Sequence, residues 1–159
     1  MAGAAKLFHQ GEFQQAEEAV DAHLEKDTDP DLDTRLLAAR IYIAANRHYK
    51  AHVILEKVIK DGTRDFRPYF VYADLNIRLG GLAEAIRALR ESIKLNPAHG
   101  PSYLLLAKYS PHRPECETWL RRVLILEPRD SHWAKDALEI LTDLKKRRDA
   151  KTPSSPDSN

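Results

Sequence analysis

The 159-residue chain has a single cysteine, Cys116, so no disulfide can form within it and the sequence is compatible with a reducing compartment. It has only six glycines against many Ala, Leu, Glu, Lys and Arg residues, a composition that favours helix over sheet. Neither sign of charge is in excess, because 25 basic and 24 acidic residues leave a formal net charge of +1. A nucleic-acid binder usually carries a strong basic excess, so this balance argues against that class of protein.

Long apolar runs are also missing. The run from Tyr103 to Ala107, which no other run exceeds in length, is far shorter than the about 20 residues that a helix needs to cross a bilayer. The first residues include Lys6 and Glu12 and contain no apolar core of the signal-peptide kind. We therefore expect no membrane insertion of this chain and a cytoplasmic location, while a targeting or membrane segment upstream of Met1 is left open.

Catalytic and cofactor motifs are absent from the sequence. There is no Ser-His-Asp arrangement, no glycine-rich phosphate loop and no carboxylate pair with catalytic spacing. His48 and His52 are four residues apart, a spacing that could hold one metal ion on a helix, but no third ligand accompanies them. We expect no enzymatic activity, no metal and no cofactor.

What the sequence does contain is a pattern that returns four times. A turn-type residue precedes a small residue by five positions, and the small residue precedes a large apolar one by four. The four sets are Gly11/Ala16/Val20, Asn46/Ala51/Leu55, Gly80/Ala85/Leu89 and Pro111/Cys116/Leu120. The small residues are 35, 34 and 31 positions apart. Periods near 34 residues are typical of solenoids, in which each unit buries its apolar face against its neighbours.

Each repeat unit has the pattern of two helices. In the third unit, apolar residues recur at helical spacing from Phe66 to Leu79, Asp65 can cap the start, and Gly80-Gly81 ends the helix. A second helix over 82–95 ends at Asn96-Pro97. The same reasoning predicts helices near 2–10, 13–26, 31–45, 48–60, 101–109, 114–127 and 131–148.

The third unit resembles the tetratricopeptide repeat. The matching residues are Tyr69-x2-Tyr72-Ala73-x2-Asn76 on its first helix, Ala85-x3-Leu89 on its second, and Pro97 at its end. The second and fourth units resemble it in the same way, through Ala38-Ala39-x2-Tyr42 with Ala51-x3-Leu55, and through Tyr103-x2-Leu106-Ala107 with Cys116-x3-Leu120. Two departures are Asn76, where the family prefers Tyr, and Thr63, where a closing proline belongs. The fourth unit also lacks three residues around its central turn.

The resemblance implies an all-α fold, a right-handed superhelical solenoid of antiparallel helix pairs with about three and a half repeats and a C-terminal capping helix. Residues 1–149 would form this domain, with units near 1–29, 31–63, 65–98 and 100–129 and the capping helix at 131–148. Residues 150–159 are polar and contain proline, and we expect them to form a disordered tail.

The resemblance also implies a binding surface. In tetratricopeptide arrays the first helix of each pair faces a concave groove, and residues three and four apart along these helices line it. Carried onto this sequence, the partner-binding groove consists of Leu36, Arg40, Ile43, Arg67, Phe70, Asp74, Arg78, Leu104 and Lys108. Leu36, Phe70 and Leu104 would form an apolar stripe flanked by mainly basic residues. A simpler interpretation is that Asp74 only neutralises Arg40 and Arg78 on a solvated face.

The function that follows is a non-catalytic protein–protein interaction scaffold. Its groove would bind a partner peptide or helix that combines apolar and acidic residues. Members of the family that bind chaperone tails use Lys and Asn at set positions, which are occupied here by Leu36, Arg40, Val71, Pro101 and Leu105. This poor match argues against a chaperone-tail receptor.

The alternative is a self-assembly module that forms a homo-oligomer. The predicted helix near 2–10 carries Leu7 and Phe8, and no earlier element covers them. The incomplete first unit of one chain could then stack on another chain.

Overall fold

The structure is a computed structural model and describes residues 1–110 and 114–151. These residues form nine α-helices and no strand. The helices are α1 Ala2–His9, α2 Phe13–Leu24, α3 Leu32–Ala44, α4 His48–Lys60, α5 Arg67–Arg78, α6 Leu82–Leu95, α7 Gly100–Tyr109, α8 Cys116–Leu126 and α9 His132–Lys151. Every predicted helix is present, with ends that differ by at most three residues, and the all-α helical-repeat fold is confirmed.

The last helix is longer than predicted. The sequence places its end at residue 148, whereas α9 continues to Lys151. The rest of the predicted polar tail, residues 152–159, lies outside the described residues. None of the described helices combines the length and the apolar character that crossing a membrane requires.

The first three helix pairs are closed by the same turn. Its central residues, Gly11, Asn46 and Gly80, have positive φ angles of 81°, 59° and 79°. The residue that follows each of them donates its N–H to a carbonyl five positions back: Glu12 to Leu7, Arg47 to Tyr42 and Gly81 to Asn76, with N···O distances of 3.0, 2.7 and 2.8 Å. This is the Schellman arrangement, which satisfies carbonyls at the end of a helix and requires a left-handed residue. The turn-type residue of the sequence pattern is therefore the one whose φ is positive, which favours glycine and asparagine.

The small residues of the pattern are buried. Ala16, Ala51 and Ala85 on the second helices have no exposed surface, and Cys116 has almost none. The Cys116 Sγ atom lies 3.6 Å from the carbonyl oxygen of Ala107 on α7, so the two helices approach closely at this point. A larger side chain at such a position would cost about 1–3 kcal/mol by overpacking.

The described chain forms two compact bodies. The N-terminal body, Met1–Asn96, contains α1 to α6, and the C-terminal body begins at Pro97 and contains α7 to α9. In the N-terminal body each helix packs on the next, and α3 also packs on α5. In the C-terminal body α7 packs on both α8 and α9, around a core that includes Leu104, Ala107, Leu120 and Ala137. The division of the chain into repeat units stays a prediction.

A polar cluster joins α2 to α3 and α4. Glu17 is nearly buried and accepts hydrogen bonds from Arg47 Nε at 2.9 Å and from Lys50 Nζ at 3.1 Å. Asp21 accepts from the Tyr42 hydroxyl at 2.5 Å and from Lys50 Nζ at 2.7 Å. Burial alone would raise the pKa of Asp21, but the hydrogen bonds from Lys50 and Tyr42 outweigh it and hold that pKa below its ordinary value. The cluster fixes the second helix pair against the first.

A candidate partner-binding pocket on the first helices

An open pocket of about 430 Å³ lies between α1, α3 and α5, the first helices of the three pairs in the N-terminal body. We call it the first-helix pocket. It is lined by Phe8, Arg40, Ile43, Ala44, Asp74 and Arg78. Four of these residues, Arg40, Ile43, Asp74 and Arg78, belong to the groove predicted from the sequence.

Helical spacing explains which side chains meet in this pocket. On α3, Ile43 and Ala44 follow Arg40 by three and four positions, and on α5 Arg78 follows Asp74 by four, so each set lies on one helix face. Because α3 packs directly on α5, these two faces become neighbours. The pocket is therefore a product of the repeat, in which successive first helices present equivalent positions side by side.

The lining of the pocket carries more positive than negative charges. Arg78 Nε lies 3.1 Å from Asp74 Oδ2, and both side chains are substantially exposed. Arg40 is exposed as well, and among the described residues no carboxylate pairs with it. Its guanidinium carbon lies 5.5 Å from the centroid of the Phe8 ring. The lining thus carries one net positive charge, on a guanidinium that rests beside an aromatic wall.

Phe8 is the aromatic lining residue, and it does not belong to the groove predicted from the sequence. Its ring lies 5.9 Å from that of Phe13, and it packs with Leu7 against the core of the N-terminal body. The chain's own helices therefore half-bury Leu7 and Phe8, and the self-assembly alternative stays a prediction. Phe8 precedes Ile43 by 35 positions, the offset between the first two units, and this offset could have identified it.

Comparison with known proteins agrees with the helical-repeat fold. A family model described as tetratricopeptide repeat matches residues 7–75, which include most of the pocket. This segment, 69 of the 159 residues, is similar to the tetratricopeptide repeat family. A comparison with curated protein sequences finds no match.

Several solved structures share the fold of this chain. A thermophilic tetratricopeptide repeat protein of Thermus thermophilus superimposes with a TM-score of 0.76 at 18% identity, over 94% of this chain and 84% of that one. MamA gives a TM-score of 0.68 at 18% identity, over 94% and 97% of the two chains. YrrB, a TPR protein with an unusual peptide-binding site, gives 0.64 at 16% identity, over 93% and 77%. At these identities the likeness shows the fold alone.

The apolar stripe predicted for the groove is corrected by the structure. Leu36 is only 6% exposed and lies in the core of the N-terminal body, and Leu104 is 1% exposed in the core of the C-terminal body. Ile43 lines the pocket but is only 4% exposed. The cause is packing within and between helix pairs, which covers these positions. Phe70 stays half-buried on α5. The aromatic wall of the pocket comes instead from Phe8, which is also half-buried.

Arg67 is occupied by interactions within the protein. Its guanidinium contacts Asp33 on α3 and Asp65 before α5, each at 2.7 Å. The hydrogen bonds that the Arg67 guanidinium donates to these carboxylates raise the pKa of Arg67, and the bond to Asp65 contributes most. Arg67 therefore ties the start of α5 to the start of α3, which makes it a positioning residue for the face that carries the pocket.

Two predicted groove residues lie in the other body. Leu104 and Lys108 are on α7, and Lys108 is exposed. Their membership of a common groove with Arg40 stays a prediction.

The remaining chemically reactive side chains have packing roles. Cys116 is buried, and burial raises the pKa of its thiol, which disfavours the reactive thiolate. His52 Nε2 lies 3.4 Å from the Tyr72 hydroxyl. Within the part of the chain that the structure describes, no group of three His, Cys, Asp or Glu side chains could hold a metal ion.

Proposed function

We propose that this tetratricopeptide repeat protein is a non-catalytic scaffold, and that the face carrying the first-helix pocket binds a segment of a partner protein with apolar and acidic side chains. The observation that supports this most directly is Arg40. It is an exposed guanidinium beside an aromatic ring, and no carboxylate among the described residues pairs with it.

A carboxylate is the ligand group that suits this position. The guanidinium is planar and carries a fork of N–H donors that matches a carboxylate in two-point geometry. The neighbouring pair of Asp74 and Arg78 is exposed, and pairs of this kind contribute only about 0.3–0.5 kcal/mol, so a ligand carboxylate can compete for Arg78 as well. The Phe8 ring offers the adjacent apolar contact.

The resemblance to tetratricopeptide repeat proteins supports a segment of a protein as the ligand. Stacked helix pairs offer extended grooves rather than enclosed reaction chambers. YrrB, which shares the fold, is described as having a peptide-binding site. The proposal therefore keeps Phe70 and Arg67, which lie in the same body as the pocket, as further groove residues that a longer segment would reach. It also keeps the cytoplasmic location predicted from the sequence.

The proposal can be tested with two capped hexapeptides, one of alternating Leu and Glu and one in which Gln replaces every Glu. Each is titrated into nitrogen-15-labelled protein and followed by amide chemical shifts. We expect the Glu peptide to shift amides near Arg40, Asp74 and Arg78, and the Gln peptide to shift them much less. Shifts that are absent, equal for both peptides, or confined to other helices would contradict the proposal.

A further inference from the structure

Two other pockets of the N-terminal body lie between successive second helices. The first, of about 550 Å³, lies between α2 and α4 and includes Leu24, Arg35, Ile54 and Lys57. The second, of about 490 Å³, lies between α4 and α6 and includes Ile59, Tyr69, Ala88 and Glu91. We call them the first and second inter-pair grooves. Neither shares a lining residue with the first-helix pocket.

The two grooves are the same feature in successive repeats. Ile59 follows Leu24 by 35 positions, and Tyr69, Ala88 and Glu91 follow Arg35, Ile54 and Lys57 by 34 each. These are the offsets of the repeat itself. The backbone therefore forms equivalent grooves, whereas the charged side chain at their edge changes sign, from Lys57 to Glu91.

The helices that line the two grooves also differ in charge at a second pair of equivalent positions, Lys50 and Glu84. On the helices of the first groove, Lys50 on α4 lies one turn before Ile54 and bridges to Glu17 and Asp21 on α2, at 3.1 and 2.7 Å. In the second groove Glu84 stands at the position of Lys50, opposite His52 and Glu56 at the positions of Glu17 and Asp21. Glu84 cannot form the same bridge to Glu56, and it lines the open groove instead.

The wall of the first groove is preformed. Arg35 Nε donates to the carbonyl of Pro30, and Arg35 Nη2 contacts Asp29, both at 2.7 Å. Asp31 Oδ1 accepts from the N–H of Thr34 at 2.7 Å and caps α3. A loop held in this way loses little conformational freedom when a ligand binds, which favours affinity.

The charges at the edges are available to a partner. Among the described residues the exposed Lys57 side chain has no hydrogen bond or ion pair. Glu84 and Glu91 pair only with Arg87 and Lys94 on their own helix, in exposed contacts three residues apart. Exposed pairs of this kind are weak, so a partner cation can replace them.

We propose that the two inter-pair grooves form one docking surface for a single segment of a partner protein. Its apolar side chains contact Ile54 in the first groove and the Tyr69 and Tyr72 rings in the second. A carboxylate of the segment faces Lys57, and a Lys or Arg side chain faces Glu84 and Glu91, where the tyrosine rings add a cation–π contact. The sign change between equivalent positions fixes the direction in which the segment crosses the helices.

The test is a selection from a phage-displayed random dodecapeptide library. Wild-type protein is the bait, and the charge-swapped double variant Lys57→Glu/Glu91→Lys removes peptides that bind elsewhere. Enriched peptides are synthesised and their affinities measured by fluorescence anisotropy. We expect sequences with an acidic and a basic residue separated by apolar ones, and about a tenfold loss of affinity for either single variant.

Controls separate this surface from the first-helix pocket. Arg40→Glu alters only the pocket, and Lys60→Glu reverses an exposed charge of α4 that lines neither groove, so both should bind the selected peptides within about twofold of wild type. Circular dichroism checks that each variant is folded, and Glu91→Gln replaces Glu91→Lys if the latter is not. A selection that enriches no peptide, or peptides that Arg40→Glu weakens as much as Lys57→Glu does, would overturn the proposal.

The charge-swapped variant provides the sharpest result. A synthetic peptide in which the acidic and basic residues of a selected sequence are exchanged should bind Lys57→Glu/Glu91→Lys better than it binds wild type. If both proteins prefer the original peptide, the edge charges do not select the ligand and the proposal fails. This outcome leaves the proposed function of the first-helix pocket untouched.

Discussion

The Arg40 guanidinium carbon lies 5.5 Å from the centroid of the Phe8 ring. This contact joins α1 to α3 across the first-helix pocket, and an exposed cation–π contact contributes about 0.5–1 kcal/mol. It also restricts the guanidinium, because the ring occupies one side of it. The short first helix is therefore part of the candidate site as well as the start of the array.

The first prediction concerns Phe8. Phe8→Ala should lower the free energy of unfolding by about 1–2 kcal/mol, less than the about 3–5 kcal/mol of a fully buried phenylalanine, because Phe8 is half-buried. It should also weaken the binding of the Leu–Glu hexapeptide, because the aromatic wall is lost. Phe8→Leu keeps an apolar side chain and serves as the control for packing. Urea denaturation and peptide titration measure the two effects, and equal binding by all three proteins would exclude Phe8 from the site.

The second prediction concerns the charge of Arg40. Arg40→Glu should reduce the affinity for the Leu–Glu hexapeptide at least tenfold at low salt, since it places a carboxylate where the ligand carboxylate would bind. The difference from wild type should shrink near 1 M salt, where the Debye length is about 3 Å. Arg90→Glu makes the same change at an exposed position of α6 outside the pocket and should bind like wild type. A salt-independent loss would point to misfolding rather than to charge.

The third prediction uses two glycines in different backbone conformations. Gly80 has a φ of 79°, so Gly80→Ala should destabilise the protein by about 1–2 kcal/mol although there is space for the added methyl group. Gly3 lies in α1 with no positive φ and equal space, so Gly3→Ala should stabilise by about 0.5–1 kcal/mol. Thermal unfolding of both variants checks this. If both substitutions change the melting temperature in the same direction, the positive φ of Gly80 does not explain the effect of Gly80→Ala.

Helices and turns could be predicted from the sequence because their causes are local. The residues Gly11, Asn46 and Gly80 recur at one point of the repeat, and each has the positive φ that a Schellman turn requires. Helix starts and ends depend on residues a few positions apart, so the sequence contains the information directly.

The candidate site was only partly predictable, because its causes are not local. Spacing of three and four identifies the residues that share a helix face, but it does not say how much of that face the next helix covers. Leu36 shares the spacing of Arg40, yet neighbouring helices bury it. The pairing of Glu17 with Arg47 joins residues 30 positions apart, and nothing in the charge pattern singles out that pair.

The fourth prediction concerns the small residue of the repeat. Ala85 has no exposed surface, so Ala85→Leu should lower the free energy of unfolding by about 1–3 kcal/mol through overpacking. Ala83 is exposed on the same helix, and Ala83→Leu should change the free energy of unfolding by no more than about 0.5 kcal/mol. Urea denaturation of the two variants measures this contrast. Equal effects would mean that the helix faces have been assigned incorrectly.

The last prediction concerns pH and the Asp21 carboxylate. Its pKa lies below the ordinary value of 3.8 in the folded protein, so the folded state binds fewer protons here than the unfolded state does. The stabilisation that the charged Asp21 carboxylate provides is therefore complete above its pKa in the unfolded state. It is lost as the pH falls through its lower pKa in the folded state.

We expect the free energy of unfolding to fall between about pH 5 and pH 3, and to fall less steeply in Asp21→Asn, which has no proton to take up at this site. Asp61→Asn is the control, because Asp61 is an exposed aspartate outside the polar cluster and should leave the slope nearly unchanged. Urea denaturation at several pH values gives the slopes. If Asp21→Asn loses stability on acidification as steeply as wild type does, the hydrogen bonds from Lys50 and Tyr42 do not stabilise the charged form, and the polar cluster is held together by packing alone.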